Sequence, residues 1–318
     1  MEQFVQQLIN GSHLGATYAL IALGYTMVYG VLRLINFAHG DVFMLGAYSG
    51  LFAAVGLGVS QRAGWGSVIL VIVVAMVACA LVGMAIERFA YRRLRSAPRL
   101  NTLITAIGVS LLLEYGGQLP PVLRLGPVEI PFGPQQRAFP TGIIPEMSVP
   151  LWGNLQLSAV QVITFVVAIA LMVGLELIIR KTRVGKAMRA VSADREAASL
   201  MGIPTDRVIL YTFAFGSALA AAAGVLYALD KPTTVEPMMG LYTGLKAFVA
   251  AVLGGIGSIP GALIGGFVMG LTETLVTGYG ANFGLDSTWK DAVAFGILIL
   301  ILIVRPSGIM GTTAKEKV

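Results

Sequence analysis

RKTRVGKAMRAVSADREAASLMGIPTDR, residues 180–207, is the longest charge-rich interruption in an otherwise oily chain. Apolar runs at 157–179 and 208–229 flank it, each long enough to cross a bilayer. The stretch has a net charge of +4, the Lys/Arg excess that marks a loop kept on the cytoplasmic side. Residues 186–200 contain no Pro or Gly and are rich in Ala, Met, Arg and Glu, which predicts one helix. Gly202 as a C-terminal cap and Pro204 just beyond it stop that helix. Ala187, Val191, Ala198 and Met201 give it a weakly apolar side with basic residues around it. A short amphipathic helix between two spans can rest on lipid headgroups, or it can dock a soluble partner.

The composition fits a polytopic membrane protein. Of 318 residues, 56% are apolar and 12% charged, with mean hydropathy +0.82, whereas soluble domains run at about 25% charged. The length allows roughly 8 to 10 spans of about 20 residues each. The net charge of +6 is concentrated in a few loops, so it signals orientation rather than nucleic-acid binding. Cys79 stands alone in an apolar run, which excludes a disulfide framework and a cysteine metal site. Residues 1–10 lack the basic start and compact apolar core of a cleavable signal peptide.

Working outward, further apolar runs occupy 14–34, 42–57, 65–86, 102–119, 240–253, 262–279 and 289–304. Glu87, Arg88, Arg92, Arg93, Arg95 and Arg99 give a second loop of net +4. Residues 120–155, rich in Pro and Gly and with cancelling charges, read as an external loop, with Trp152 at the interface. Residues 230–243 also read as external. The tail, with Lys315 and Lys317, is basic and therefore cytoplasmic, the side that counting spans gives to both +4 loops. The fold expected is an all-α polytopic membrane protein. It is a single transmembrane domain over 1–318, with about 8–9 transmembrane helices, broken segments and pseudo-repeated halves.

The breaks are at 33–41, around Asn36, His39, Gly40 and Asp41, and at 254–261, around Gly254, Gly255 and Gly257. Interrupted apolar segments at matching positions of two halves suggest a substrate path built from half-helices. Ordinary turns between spans use the same residues, so both readings stand. His39 and Asp41 inside the membrane would mark function; as caps they would simply start the next helix. Glu87 and Glu114 read as orienting charges near span ends, Glu273 as a partner for another helix or a cavity, and His13 as structural.

The residues of several chemistries are missing. No Gly-xxxx-Gly-Lys-Ser/Thr loop is present, so no nucleotide is hydrolysed by that route. Two histidines 26 positions apart make a zinc site improbable. No nucleophile–base arrangement stands out, so no catalytic residue is assigned. Transport remains.

EAASLMG (196–202) resembles the Glu-Ala-Ala-xxx-Gly signature of bacterial ABC importer permeases. LINFAHGDVFMLGAY (34–48) and GGIGSIPGA (254–262) closely resemble the branched-chain amino acid importer permeases, the LivH/LivM family, over essentially the whole chain. The resemblance implies a coupling helix docked on an ATPase through Lys186, Arg189, Arg195, Glu196, Ala197, Ala198 and Gly202. It implies a translocation path past Asn36, His39, Gly40, Asp41, Gly254, Gly255 and Gly257. It also implies a bacterial inner-membrane location and a set of partners: a second LivM-like permease, two LivG/LivF-like ATPases and a periplasmic binding protein for leucine, isoleucine or valine. The chain itself would bind no cofactor, since ATP and Mg would sit on the ATPases. Closure of the ATPases would pull the coupling helix and rock the spans, giving alternating access. Related urea and short-amide permeases share the start motif, and an ion-driven secondary transporter is the more distant alternative. Here Gly202 is followed at once by Ile203-Pro204, earlier than the usual downstream proline.

Overall fold

A computed structural model describes residues 2–59, 64–95, 97–119, 124–125, 128–129, 133–144, 148–150, 155–230, 235–284, 286 and 288–311. The expectations for Trp152, Lys315 and Lys317 lie outside these residues. Eleven α-helices are described: α1 (Glu2–Leu32), α2 (His39–Gly56), α3 (Trp65–Ile86), α4 (Arg99–Gly117), α5 (Ala159–Lys181), α6 (Arg183–Ala193), α7 (Arg195–Leu200), α8 (Thr205–Asp230), α9 (Met239–Gly254), α10 (Ile259–Tyr279) and α11 (Trp289–Val304). Six are long and apolar enough to cross a membrane. α2, α9 and α11 add three apolar helices of 18, 16 and 16 residues. The all-α polytopic expectation holds. The described β structure is two antiparallel hairpins, β1–β2 (Arg124–Leu125, Val128–Glu129) and β3–β4 (Ser148–Pro150, Gln156–Ser158).

Small residues decide which helices are central. α8 packs on α1, α2 and α3, and Ala220, Ala221, Ala222 and Ala223 are all buried. α1 and α10 run antiparallel along a glycine seam. A Cβ on Gly15 would stand 2.8 Å from the Phe267 Cα, and one on Gly266 would stand 2.6 Å from the Ala19 backbone nitrogen. Helix backbones that close leave no room for side chains, which is how helices associate where apolar burial alone gives no preference. The outward faces of α3, α4, α5 and α11 carry exposed Leu81, Leu112, Val166 and Ile303.

α1 begins at Glu2, twelve residues before the apolar run, because its polar first turns find partners. Gln6 donates to the Gln156 carbonyl, and Gln161 donates to Asn10. The external stretch is less loose than its composition suggests. Phe139 and Ile143 are buried, the Gly64 N–H donates to the Ile143 carbonyl, and the Arg137 N–H donates to the Val235 carbonyl.

The first break lies inside the body. α1 ends at Leu32, Arg33 takes a left-handed φ of +53°, and the chain doubles back. α2 then starts at His39, whose Nε2 meets the Ile21 carbonyl at 3.2 Å. Ile21 lies roughly 16 Å of helix above the end of α1, so α2 begins partway through the layer.

The expected counterpart at 254–261 needs correction. Gly255 (φ +102°) and Gly257 (φ +97°) form the turn of an α9–α10 hairpin at the end of the body that carries the basic loops. A Cβ on Gly254 would collide with Gly261, and the Ile309 and Met310 N–H groups bond the Leu253 and Gly254 carbonyls at 2.9 Å. The true partner of the His39 start is the start of α9. His39 N–H bonds the Asn36 carbonyl at 3.1 Å, and Met239 N–H bonds the Glu236 carbonyl at 3.2 Å. A Cβ on Gly40 would stand 2.6 Å from the Gly240 carbonyl oxygen, and one on Gly240 would stand 2.7 Å from that of Gly40. Two equivalent half-helix starts, one from each half, therefore touch. Glycine-rich strings read alike whether they make a hairpin turn or a break, which is why the sequence matched the wrong pair.

Candidate translocation and coupling sites

The touching helix starts border a cavity of about 50 Å³ lined by Tyr25, Phe37, Asp41, Ser110, Gly240 and Phe248, among others. Tyr25 packs edge-on against His39 and against Phe248. Asp41 is buried in the first turn of α2, and one carboxylate oxygen accepts from the Ser110 hydroxyl at 2.5 Å. Glu114, one turn further along α4, is also buried and lies within electrostatic reach of Asp41. Glu114 stands near the end of α4, as expected of an orienting charge, but is buried beside Asp41.

The expected path residues divide into groups. Gly40 and Asp41 line the cavity, whereas His39 and Asn36 are held elsewhere. His39 anchors α2 to α1 through Ile21, and a Cβ on Gly24 would strike its ring. Asn36 accepts from the Tyr91 hydroxyl at 2.7 Å, tying the break to a π-helical turn, Glu87–Tyr91, after α3. Gly254, Gly255 and Gly257 are at the basic end. Gly257 shares a cavity of about 710 Å³ there with Tyr29, Arg33, Ser192 and Ser307.

The single helix expected over 186–200 is two. Asp194 breaks it in extended conformation, φ −153°, and its side chain caps α7 by accepting from the Ala197 N–H at 3.0 Å. An Asp cap competes with helix continuation, and the composition rule for helix propensity misses this. α7 ends in a Schellman motif: Gly202 has φ +80°, the Ile203 N–H reaches the Ala198 carbonyl, and the Gly202 N–H reaches that of Ser199. The break also re-aims α7. Val191 and Ala198 are buried as expected, but Met201 is 82% and Leu200 89% exposed. Lys186, Arg189, Glu196, Ala197 and Gly202 are exposed around them, and Arg195 reaches towards Asp206 at 4.0 Å.

The roots of this surface are fixed to the core. The Ser192 hydroxyl donates to the Gly30 carbonyl at the end of α1. Asp206, at the start of α8, accepts from Arg92 and, at 2.5 Å, from Arg95, and Arg95 also pairs with Glu87. Burial pulls the Arg95 pKa down, and Asp206 acts against that. Glu87 follows the end of α3, near a span end as expected, and is fully buried in this pairing. Removing one partner of a buried pair leaves a bare charge and costs about 3–5 kcal/mol. Arg95→Met is therefore expected to lower the unfolding midpoint of the purified protein in a thermal scan. Arg93→Met, at an exposed side chain, is expected to leave it in place.

Two other polar residues also find partners. Glu273 bonds Lys246 Nζ at 2.9 Å and the Tyr18 hydroxyl at 2.7 Å, while Lys246 also meets Asp291 at 2.7 Å. This joins α1, α9, α10 and α11 in a compensated cluster. His13 contacts Thr164 at 3.1 Å and Asp230 at 3.9 Å, joining α1 to α5 and α8. Sequence reasoning missed Tyr25, Phe248, Ser110 and Gly240, because each lies within an unremarkable apolar run.

Comparison with known proteins agrees with this architecture. The family "Branched-chain amino acid transport system / permease component" matches residues 7–302. The permease protein LivH of the high-affinity branched-chain amino acid transport system of Escherichia coli K12 is 43% identical, over 99% of this chain and 98% of that protein. The corresponding Pseudomonas aeruginosa permease, BraD, is 42% identical over the same shares. A probable LivH of Methanocaldococcus jannaschii is 30% identical over 93% of this chain and 89% of its own. With nearly the full length matched and the broken-helix architecture in place, this chain belongs to the permease-component family of branched-chain amino acid transport systems.

Proposed function

We propose that this chain is one of two permease subunits of an ATP-driven importer of leucine, isoleucine and valine. It would reside in a bacterial inner membrane with the α6–α7 surface and the C-terminus in the cytoplasm. A second, LivM-like permease completes the pore, two LivG/LivF-like ATPases bind and hydrolyse ATP with Mg, and a periplasmic binding protein delivers substrate. The chain contributes no catalytic residue and binds no cofactor of its own. It supplies the moving walls.

The observation that carries this reading is the α6–α7 surface. Two large apolar side chains, Leu200 and Met201, stand bare at the tip of α7, where Arg195 reaches Asp206 at the start of α8 at 4.0 Å and Ser192 of the adjoining α6 bonds the Gly30 carbonyl of α1. An exposed apolar tip on a rigid root suits a docking contact that transmits force. For ATP to shift the pore between two states, the ATPases must contact this surface differently in each. Loop charge supports its cytoplasmic side. In the path, the helix starts at His39 and Met239 offer positive dipole ends to a carboxylate.

The test is reconstitution of the complete complex in liposomes with binding protein outside and ATP inside. Leucine accumulation that requires ATP and both ATPases is the expected result. Accumulation by this chain alone under an ion gradient, or transport of urea in place of leucine, would overturn the proposal.

A further inference from the structure

The cavity at the paired helix starts contains a charge problem. Asp41 and Glu114 are each at least 98% buried, and one oxygen of each, Asp41 Oδ1 and Glu114 Oε1, has no hydrogen-bond donor. The two side chains lie within each other's electrostatic and hydrogen-bonding reach. Among the described residues no Lys or Arg lines the cavity. The other titratable group facing Asp41 is Tyr25, whose hydroxyl accepts from the Gly40 N–H. Two carboxylates side by side in so apolar a place cannot both stay charged and unpartnered. The orphaned oxygens call for a group that brings both donors and positive charge.

The shape of the cavity narrows the cation. About 50 Å³ holds a group the size of a few waters, not a whole amino acid. The walls around the Asp41 carboxylate are aromatic and aliphatic: Tyr25, Phe37, Phe248 and Leu245. Leu241 and Leu245, on the α9 side of the cavity, are each 44% exposed, so that wall borders the outer face of the chain. A compact cation with an oily attachment fits, and a hydrated metal ion does not.

We propose that Asp41 and Glu114, with Ser110, form the subsite that receives the α-ammonium group of a transported aliphatic amino acid. Tyr25, Phe37 and Phe248 face its carbon skeleton. The ammonium supplies the donors that Asp41 Oδ1 and Glu114 Oε1 lack, and the aromatic faces add attraction for the cation. In the conformation described, the glycine contact between α2 and α9 keeps the pocket at head-group size. Parting of the two helix starts admits the remainder of the substrate. This inference rests on the reading of the chain as an amino acid importer.

The test compares wild type, Asp41→Asn and Glu114→Gln as complete complexes in liposomes, measuring leucine imported per ATP hydrolysed. Loss of a hydrogen-bonded charge partner is expected to lower that ratio by at least about tenfold in each variant. An amide keeps the shape of the carboxylate, so a pair that merely shares a proton predicts a wild-type ratio in both variants, which would overturn the subsite. Equal loss of uptake and of ATP hydrolysis stimulated by the binding protein, at normal permease levels, would assign the pair to helix packing and also overturn it. If the wild-type complex imports no branched-chain amino acid, the importer reading falls, and the subsite with it. Two variants are used so that misfolding of one leaves the other to decide.

Discussion

Gly266→Leu is expected to remove most of the folded protein from the membrane. The Cβ alone would stand 2.6 Å from the Ala19 nitrogen and 2.7 Å from its Cα. Both are backbone atoms in the middle of α1, so no rotamer change relieves the contact. Ordinary overpacking costs about 1–3 kcal/mol, and here the only relief is to part α1 from α10 along the whole seam. Since folded proteins have about 5–15 kcal/mol in hand, at least about a tenfold fall in monodisperse, detergent-extracted protein is the expected reading. Gly66→Leu, at a glycine with open space around it, is the control expected to change nothing. Normal yield of Gly266→Leu would show that the α1–α10 contact is not as close as described.

The second large effect concerns coupling. Leu200→Asp is expected to leave the permease level unchanged, because that side chain is 89% exposed and supports nothing within the chain. It should nevertheless abolish capture of the ATPase subunits in pull-downs and cut ATP-driven uptake at least about thirtyfold, the size expected for a central interface residue. Lys186→Ala, on the same surface, should reduce uptake by less than about fivefold, because exposed charge pairs contribute little. Uptake by Leu200→Asp at the wild-type rate would overturn the proposal that ATPase subunits dock on this surface.

Individual elements differ in how legible they were. α3, α5 and α11 lie within a few residues of the expected runs, because long apolar stretches bounded by charges have one stable solution in a membrane. Charge marks the 180–207 loop, but helix propensity runs one helix through Asp194, where a side-chain cap competes with the backbone. Gly202 was read correctly as the helix stop, since a left-handed cap is a local requirement. The 33–41 break was recognised as polar, but a turn and a membrane-depth helix start were indistinguishable. Hydrogen bonds such as His39 to Ile21 decide between them, and those partners are 18 residues apart.

Sequence alone determined the class of the protein, the basic loops, the helix stops and the family likeness. All of these depend on composition and on residues near one another along the chain. The tertiary structure alone decided which break faces which, pairing Gly40 with Gly240 instead of with Gly254–Gly257, and brought Asp41 and Ser110 to one cavity with Glu114 beside Asp41. The reason is physical: glycine and small polar residues state only that something comes close. What comes close is set by the packing of whole helices, to which every residue between the two contacts contributes.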